Sequence, residues 1–164
     1  MFESLGGVSS WARAGLALVF LTFCACASSK RCDRVERVLD GDTIELAGGP
    51  VIRVHGIDAP EKGQPFGDES RAVATQLLLG KTVTIEAKEQ DRFGRTVASV
   101  SLADGKSFGA EMVRLGMAWV FVRYTHDPEL IRLEREAKAG KVGLWQQADP
   151  SPPWDFRKSR RRKK

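Results

Sequence analysis

Three short stretches of this 164-residue chain together combine acidic side chains and arginines in a way that could do chemistry. These stretches read Asp40-Gly-Asp42-Thr43, Asp58-Ala59-Pro60-Glu61 and Asp91-Arg-Phe-Gly-Arg95, with Arg53 lying between the first two. Carboxylate oxygens are the ligands that hard cations such as Ca²⁺ prefer, and a guanidinium group matches two oxygens of a phosphate. The residue types therefore predict a site where a divalent cation and a phosphodiester meet.

Such a site suits hydrolysis, because a phosphodiester repels a nucleophile and gathers more negative charge in its transition state. A bound cation offsets that charge by several kcal/mol, and two arginines can donate charge-assisted hydrogen bonds to the same oxygens. A glutamate that acts on water contributes roughly 10²–10⁴-fold in rate. A guanidinium is a poor proton donor, so the group that protonates the leaving oxygen stays open.

Each of these residues also has a simpler interpretation. Asp40-Gly-Asp42 alone is typical of a tight turn, and Glu61 after a proline is typical of a solvated loop. For Arg53, in a stretch rich in Val and Ile, the alternative is a structural ion pair, and for Arg95 it is surface charge. The hydrolytic interpretation therefore depends on the side chains meeting in one place.

The positive charge of the chain is concentrated at its C-terminus. The net charge is +5, but residues 157–164 hold seven of the 26 Lys and Arg residues. The rest of the chain carries 19 basic and 21 acidic residues, a formal charge of −2. We expect the tail to be disordered and to contact phosphates or anionic surfaces without specificity. Positive potential at the site must come from individually placed arginines.

The N-terminus resembles an export signal, in which Arg13 precedes an apolar run over residues 14–27. The run is shorter than the roughly 20 residues that span a bilayer. Ala25-Cys26-Ala27 suits signal peptidase, which would make Ser28 the first mature residue. Lipidation at Cys26 and an uncleaved membrane anchor are the alternatives. We therefore expect a periplasmic, secreted or lipid-anchored protein, in which Cys32 has no intramolecular disulfide partner.

Periodicity and turn residues predict a mixed fold with strands before and around a helix. The predicted strands are 35–39, 43–46, 51–57, 82–87 and 96–102. The predicted helices follow Asp68 as an N-cap, begin near Phe108, and follow Asp127 as a second cap. We expect a β-rich α+β fold, a five-stranded OB-fold β-barrel with about three helices. The predicted organisation is a signal at 1–27, a linker at 28–33, the domain at 34–147, and a proline-containing linker with the basic tail at 148–164.

From about Val35 to Trp145 the chain resembles the staphylococcal nuclease family. The likeness rests on the three motifs above and Arg53, and on 111–118 and 143–145 further along. The resemblance implies a Ca²⁺-dependent, sugar-nonspecific endonuclease that hydrolyses DNA and RNA to 3′-phosphate products. The protein would act as a monomer. A catalytically weak OB-type nucleic-acid-binding module is the alternative, and a scaffold role based on the tail is a third.

The resemblance also assigns roles to individual residues. Asp42, Asp58 and the backbone carbonyl of Ala59 would bind Ca²⁺, with Asp40 acting through water. Glu61 would orient or deprotonate the attacking water. The remaining assignments are Arg53 and Arg95 as the phosphate ligands, and Tyr124 and Asp91 as substrate-binding residues. One departure is Val122, where the family has a second tyrosine, so a hydroxyl and a stacking ring are missing from the nucleotide pocket.

Overall fold

The computed structural model describes residues 30–162. The predicted export signal lies outside the described residues and stays a prediction. Within the described part of the chain, no helix is both long enough and apolar enough to span a membrane.

Five strands close into a barrel in the order β1-β2-β3-β6-β5. They are β1 Lys30–Asp40, β2 Thr43–Leu46, β3 Val51–Val54, β5 Thr82–Gln90 and β6 Thr96–Ser101. Neighbouring strands are antiparallel except for the parallel pair β3 and β6. Closing the sheet leaves no free edge among these five strands, and the side chains that alternate inward fill the barrel. The predicted OB-fold barrel is confirmed.

Four of the five predicted strands differ from the structure at an end, and two of these differences bear on the architecture. The predicted strand 51–57 divides into β3 and a short β4, Ile57–Asp58, which pairs with β7, Trp119–Val120. Gly56 lies at the break with a φ of 81°, a conformation that residues other than glycine rarely adopt. At the other end, β1 begins at Lys30 and pairs with β5 there, so the predicted linker 28–33 is partly a barrel strand.

Helices cover one side of the barrel and complete its core. Within residues 30–162 they are α1 Gly67–Leu78, α2 Phe108–Arg114, α3 Pro128–Ala139 and α4 Pro153–Arg162, with a 3₁₀ turn at Gly143–Gln146. The helix at Asp127 begins as predicted, since the Asp127 carboxylate accepts a hydrogen bond from the Glu129 amide and Pro128 follows it. Phe108 and Met112 of α2 are fully buried in the main core.

The prediction that Asp68 caps α1 is wrong. The helix begins at Gly67, and the cap residue is Phe66, whose φ of 66° is left-handed and whose side chain makes no capping hydrogen bond. The chain turns sharply here because Gly67 packs directly on the backbone of Glu61. A Cβ atom on Gly67 would lie 2.2 Å from the Glu61 carbonyl oxygen. Close packing, which periodicity does not reveal, therefore decides where α1 begins.

The prediction of a disordered tail is also wrong for residues 157–162, which belong to the helix α4, Pro153–Arg162. Its Trp154 stacks on Phe121, with ring centroids 5.3 Å apart and an interplanar angle of 6°. Trp154 also meets Trp119 edge to face at 5.9 Å. These aromatic contacts give the helix an apolar anchor on the domain, so its positive charge does not prevent it from packing.

Candidate active site

The turn between β1 and β2 holds the first two acidic residues in place. The Asp42 amide donates to Asp40 Oδ1 at 3.2 Å, and the Thr43 hydroxyl donates to Asp42 Oδ1 at 2.9 Å. Gly41 has no room for a side chain, because a Cβ atom there would lie 2.0 Å from Ser70 Oγ. The turn is therefore packed against α1, and Asp42 is only 5% exposed.

Asp42 and Asp58 meet at one nitrogen of Arg53. Arg53 Nη2 lies 3.0 Å from Asp42 Oδ2 and 2.9 Å from Asp58 Oδ1. The amide of Ala59 donates to Asp42 Oδ2 at 2.7 Å, which ties the second motif to the first. The structure thus brings together the two carboxylates that the family resemblance assigns to the metal.

Arg53 is fixed by both ends of its guanidinium group. Its Nη1 donates to the carbonyl oxygens of Val54 at 2.7 Å and Ile57 at 2.8 Å, while Nη2 meets the two carboxylates. The structural ion pair considered as an alternative for Arg53 therefore exists. It holds the guanidinium rigidly beside the acidic residues, so a phosphate would have to take the Nη2 donors from the carboxylates.

Negative charge is crowded at this place. Burial and the neighbouring Asp42 carboxylate raise the pKa of Asp40 to about 7. Burial also raises the pKa of Asp58, with Asp42 adding to the effect and arginine partners opposing it. Because burial and a neighbouring negative charge destabilise the ionised form of these carboxylates, a nearby cation stabilises that form. The positive groups that meet Asp58 are the guanidinium groups of Arg53 and Arg157.

Glu61 lies on a loop that hydrogen bonds hold in place. Its amide donates to Gln64 Oε1 at 3.1 Å, and Gln64 Nε2 donates to the Ser151 carbonyl at 2.6 Å. The Glu61 side chain remains 35% exposed. A partly exposed carboxylate on a fixed loop can meet both water and a substrate.

Gly67→Ala should disturb this loop, because the new methyl group would collide with the Glu61 carbonyl, a backbone atom that cannot rotate away. We expect the free energy of unfolding to fall by about 1–3 kcal/mol. Urea unfolding followed by circular dichroism measures this loss. Gln76→Ala, at an exposed position of the same helix, is the matched control and should keep the wild-type stability. Equal stability of Gly67→Ala and the wild type would contradict the packing described.

Arg95 and Asp91 form a separate pair at the turn before β6. Arg95 donates to Asp91 Oδ2 at 2.7 Å. Burial acts to raise the pKa of Asp91, but the hydrogen bonds from Arg95 and the Phe93 amide together outweigh it and lower that pKa. The register pairs Arg53 with Val97, two residues beyond Arg95. The described contacts of its side chain are with Asp91 and the Phe93 ring.

Tyr124 lies after β7 and is 55% exposed. Its ring packs at a tilt on Phe121, with centroids 4.9 Å apart, and the Arg123 guanidinium lies 5.9 Å from its centre. Val122, which stands where the family has a second tyrosine, is 56% exposed. The structure therefore presents a surface with one aromatic ring where the resemblance implies a pair.

Arg157 of α4 is the residue that the sequence analysis missed. Its guanidinium meets both oxygens of Asp58 and one oxygen of Glu61. Burial works against its charged form, but these hydrogen bonds outweigh that and raise the pKa of Arg157. Trp154 and Phe156, two aromatic residues directly before the basic tail, were the signal that this segment packs on the domain.

The donor types suit a hard cation, although the side chains are engaged with arginines. Within residues 30–162, no three His, Cys, Asp or Glu side chains stand together as a group that could hold a metal ion. The buried Asp42 and Asp58 still supply hard oxygen ligands that converge on one positive group. A cation in place of the guanidinium groups would meet the same oxygens, so the residues fit Ca²⁺ in chemistry.

Comparison with known proteins identifies the family. Residues 51–147 match the model of the family described as staphylococcal nuclease homologue. An uncharacterized endonuclease of Escherichia coli is 47% identical over 127 residues, which cover 76% of this chain and 83% of the relative. An uncharacterized endonuclease of Haemophilus influenzae is 37% identical over 147 residues, 87% of this chain and 82% of the relative.

A plant relative shares the same domain within a longer protein. The probable staphylococcal-like nuclease CAN1 of Oryza sativa subsp. japonica is 36% identical over 110 residues, 67% of this chain but 33% of the relative. The family predicted from the motifs is thereby confirmed, and so is the prediction of an enzyme of the nuclease class. This chain belongs to the staphylococcal nuclease family.

Proposed function

We propose that this protein is a Ca²⁺-dependent endonuclease that hydrolyses phosphodiesters of DNA and RNA and leaves 3′-phosphate ends. The observation that carries the proposal is the convergence of Asp42 and Asp58 on Arg53, with Glu61 beside them on the same loop as Asp58. Buried acids, a fixed guanidinium and a partly exposed carboxylate together supply what phosphodiester hydrolysis needs. The names of the relatives support the same class of substrate.

The proposed metal ligands are Asp42, Asp58 and the Ala59 carbonyl, with Asp40 acting through water. When bound, Ca²⁺ supplies charge compensation for the phosphate and orients water, together worth several kcal/mol. Burial of Asp42 and Asp58 keeps bulk water from weakening these interactions. Ca²⁺ tolerates irregular oxygen coordination, which suits ligands drawn from a turn and a loop.

The proposed catalytic groups act on the attacking water and on the phosphate. The Glu61 carboxylate accepts a proton from the attacking water, or orients that water, at the phosphorus atom. Arg53 and Arg95 donate hydrogen bonds to the phosphate oxygens as their charge increases. To reach the phosphate, Arg95 exchanges part of its contact with Asp91, which then holds the guanidinium in orientation. Tyr124 offers one ring on which a base can stack.

We also propose that the protein acts outside the cytoplasm as a monomer. The support is the apolar run at 14–27 with the small residues around Cys26. Cleavage of the signal releases the protein to the periplasm or medium, while lipidation at Cys26 retains it at the membrane. Fractionation of cells that express the full chain distinguishes the two, and a purely cytoplasmic protein would contradict both.

Ca²⁺ removal gives the test of this function. The purified protein should cut plasmid DNA and structureless RNA with added Ca²⁺, and should stop when EGTA binds the metal. Mass spectrometry of the products should find 3′-phosphate and 5′-hydroxyl ends. Nucleic-acid binding without cleavage at any pH from neutral to alkaline would overturn the enzyme in favour of the binding module.

A further inference from the structure

The C-terminal helix α4 lies against the candidate active site and is anchored there by an aromatic residue. Trp154 stacks on Phe121 and meets Trp119 edge to face. Three residues further along the helix, almost one turn, Arg157 reaches the acidic residues of the site. The aromatic contacts fix the base of the helix, so the position of Arg157 follows from packing as well as from charge.

Arg157 binds the carboxylates in a forked arrangement. Its Nη1 lies 3.1 Å from Asp58 Oδ1 and its Nη2 lies 2.7 Å from Asp58 Oδ2. The same Nη1 lies 2.5 Å from Glu61 Oε1. One guanidinium therefore occupies both oxygens of the proposed metal ligand and one oxygen of the proposed base. The Asp58 side chain is 1% exposed, so a metal ion has little room to approach its oxygens while Arg157 is bound.

We propose that α4 is an intramolecular plug, in which Arg157 competes with Ca²⁺ for Asp58 and occupies one carboxylate oxygen of Glu61. This inference rests on the proposed function, since it takes the Ca²⁺ site and the Glu61 role from it. Arg157 already holds both oxygens of Asp58, so a metal ion that takes Asp58 as a ligand has to displace the guanidinium from them. Binding of the metal and docking of Arg157 are thus mutually exclusive, and the nuclease is self-inhibited until Ca²⁺ or a phosphate backbone draws the arginine away.

The other basic residues of α4 are placed so that a substrate can help Arg157 leave the carboxylates. Lys158, Arg160, Arg161 and Arg162 are exposed, so a polyanionic substrate can attract them while Arg157 leaves the carboxylates. A site that is closed nine-tenths of the time binds its ligand about tenfold more weakly than the open site. The plug therefore raises the Ca²⁺ concentration at which the enzyme becomes active.

The test is calorimetric titration of Ca²⁺ into the wild type, Arg157→Ala, Arg157→Gln and Arg161→Ala in the absence of nucleic acid. Arg161→Ala is the matched control, because it removes the same charge from an exposed position of the same helix. Arg157→Gln keeps a side chain of similar reach without the charge. We expect both Arg157 variants to bind Ca²⁺ about tenfold more tightly than the wild type. The Ca²⁺ affinity of the Arg161 variant should stay within about twofold of the wild-type value, since exposed charges are screened by salt.

Several results would overturn the plug. One is equal Ca²⁺ affinity of the wild type and both Arg157 variants. Another is an equal gain in Ca²⁺ affinity in the Arg161 variant, which would mean that any loss of positive charge from α4 has this effect. A third is unchanged Ca²⁺ affinity together with slower cleavage by the Arg157 variants at saturating Ca²⁺, which would make Arg157 a third phosphate ligand.

The same titration separates this inference from the proposed function. If the wild type and every variant fail to bind Ca²⁺, the proposed metal site fails and the plug fails with it. If the wild type binds Ca²⁺ and cuts DNA while the Arg157 variants bind it no more tightly, the plug alone fails. Tighter Ca²⁺ binding by the Arg157 variants, with cleavage retained, supports both.

Discussion

Glu61→Gln should lower kcat by roughly 10²–10⁴-fold, because the amide cannot accept a proton from the attacking water. The change keeps the size of the side chain and leaves the Glu61 amide free to donate to Gln64. We expect little loss of stability, since the carboxylate is partly exposed. Rates of DNA cleavage at saturating Ca²⁺ and substrate measure the effect.

The matched control for this change is Glu69→Gln. Glu69 is an exposed carboxylate in the first turn of α1, only eight residues from Glu61, so it tests whether loss of one acid near the site is enough. We expect its kcat to stay within about twofold of the wild type, since surface substitutions of this kind have small effects. Near-normal turnover in Glu61→Gln would remove Glu61 from the role of base.

Arg53→Ala should destabilise the protein by about 3 kcal/mol in the absence of metal, because it leaves two buried carboxylates without their shared partner. It also removes the donor to the Val54 and Ile57 carbonyls. Arg53→Lys should recover part of this stability, since an ammonium keeps the charge. It should not recover cleavage, because an ammonium cannot reproduce the planar fork. Urea unfolding and kcat measure the two effects.

Arg95→Lys is the comparison for the Arg53 series. Arg95 pairs with a carboxylate near the surface, a kind of interaction worth about 0–1 kcal/mol, so stability should change little. Its kcat should nevertheless fall, because the forked donor to phosphate is lost. If Arg53→Lys restores both stability and full turnover, Arg53 is a structural residue and not a phosphate ligand.

The barrel could be predicted because its strands follow simple rules. β2 over Thr43–Leu46 agrees at both ends with the prediction, since turn residues flank a short run in which Ile44 and Leu46 point into the core. The helix after Asp127 agrees for a similar reason, a capping acid followed by proline. In each case the determining interactions lie within a few residues of one another along the chain.

The start of α1 and the C-terminal helix could not be predicted in this way. The cap at Phe66 depends on the approach of Gly67 to the Glu61 backbone, which is a contact in space. The position of α4 depends on aromatic packing between Trp154 and residues more than 30 positions earlier. Charge composition alone favoured disorder at 157–164, because it ignores the two aromatic residues before it.

The residues of the candidate site could be named from the motifs, whereas their partners could not. The family resemblance assigned Asp42 and Asp58 to one metal ion, and the structure places both carboxylates at Arg53, the ion pair that was the alternative for this arginine. The occupation of Asp58 and Glu61 by Arg157 has no motif, since it joins residues almost 100 positions apart. A long-range contact between one tail arginine and an acidic loop is visible only in three dimensions.

The most direct test of the account is single-turnover cleavage of a labelled DNA strand by the wild type and Glu61→Gln, each at saturating Ca²⁺ and again in EGTA. We predict rapid cleavage by the wild type with Ca²⁺, a rate lower by roughly 10²–10⁴-fold for the variant, and no cleavage by either protein in EGTA. Equal rates for the two proteins, or cleavage that continues in EGTA, would contradict a metal-dependent nuclease in which Glu61 acts on water.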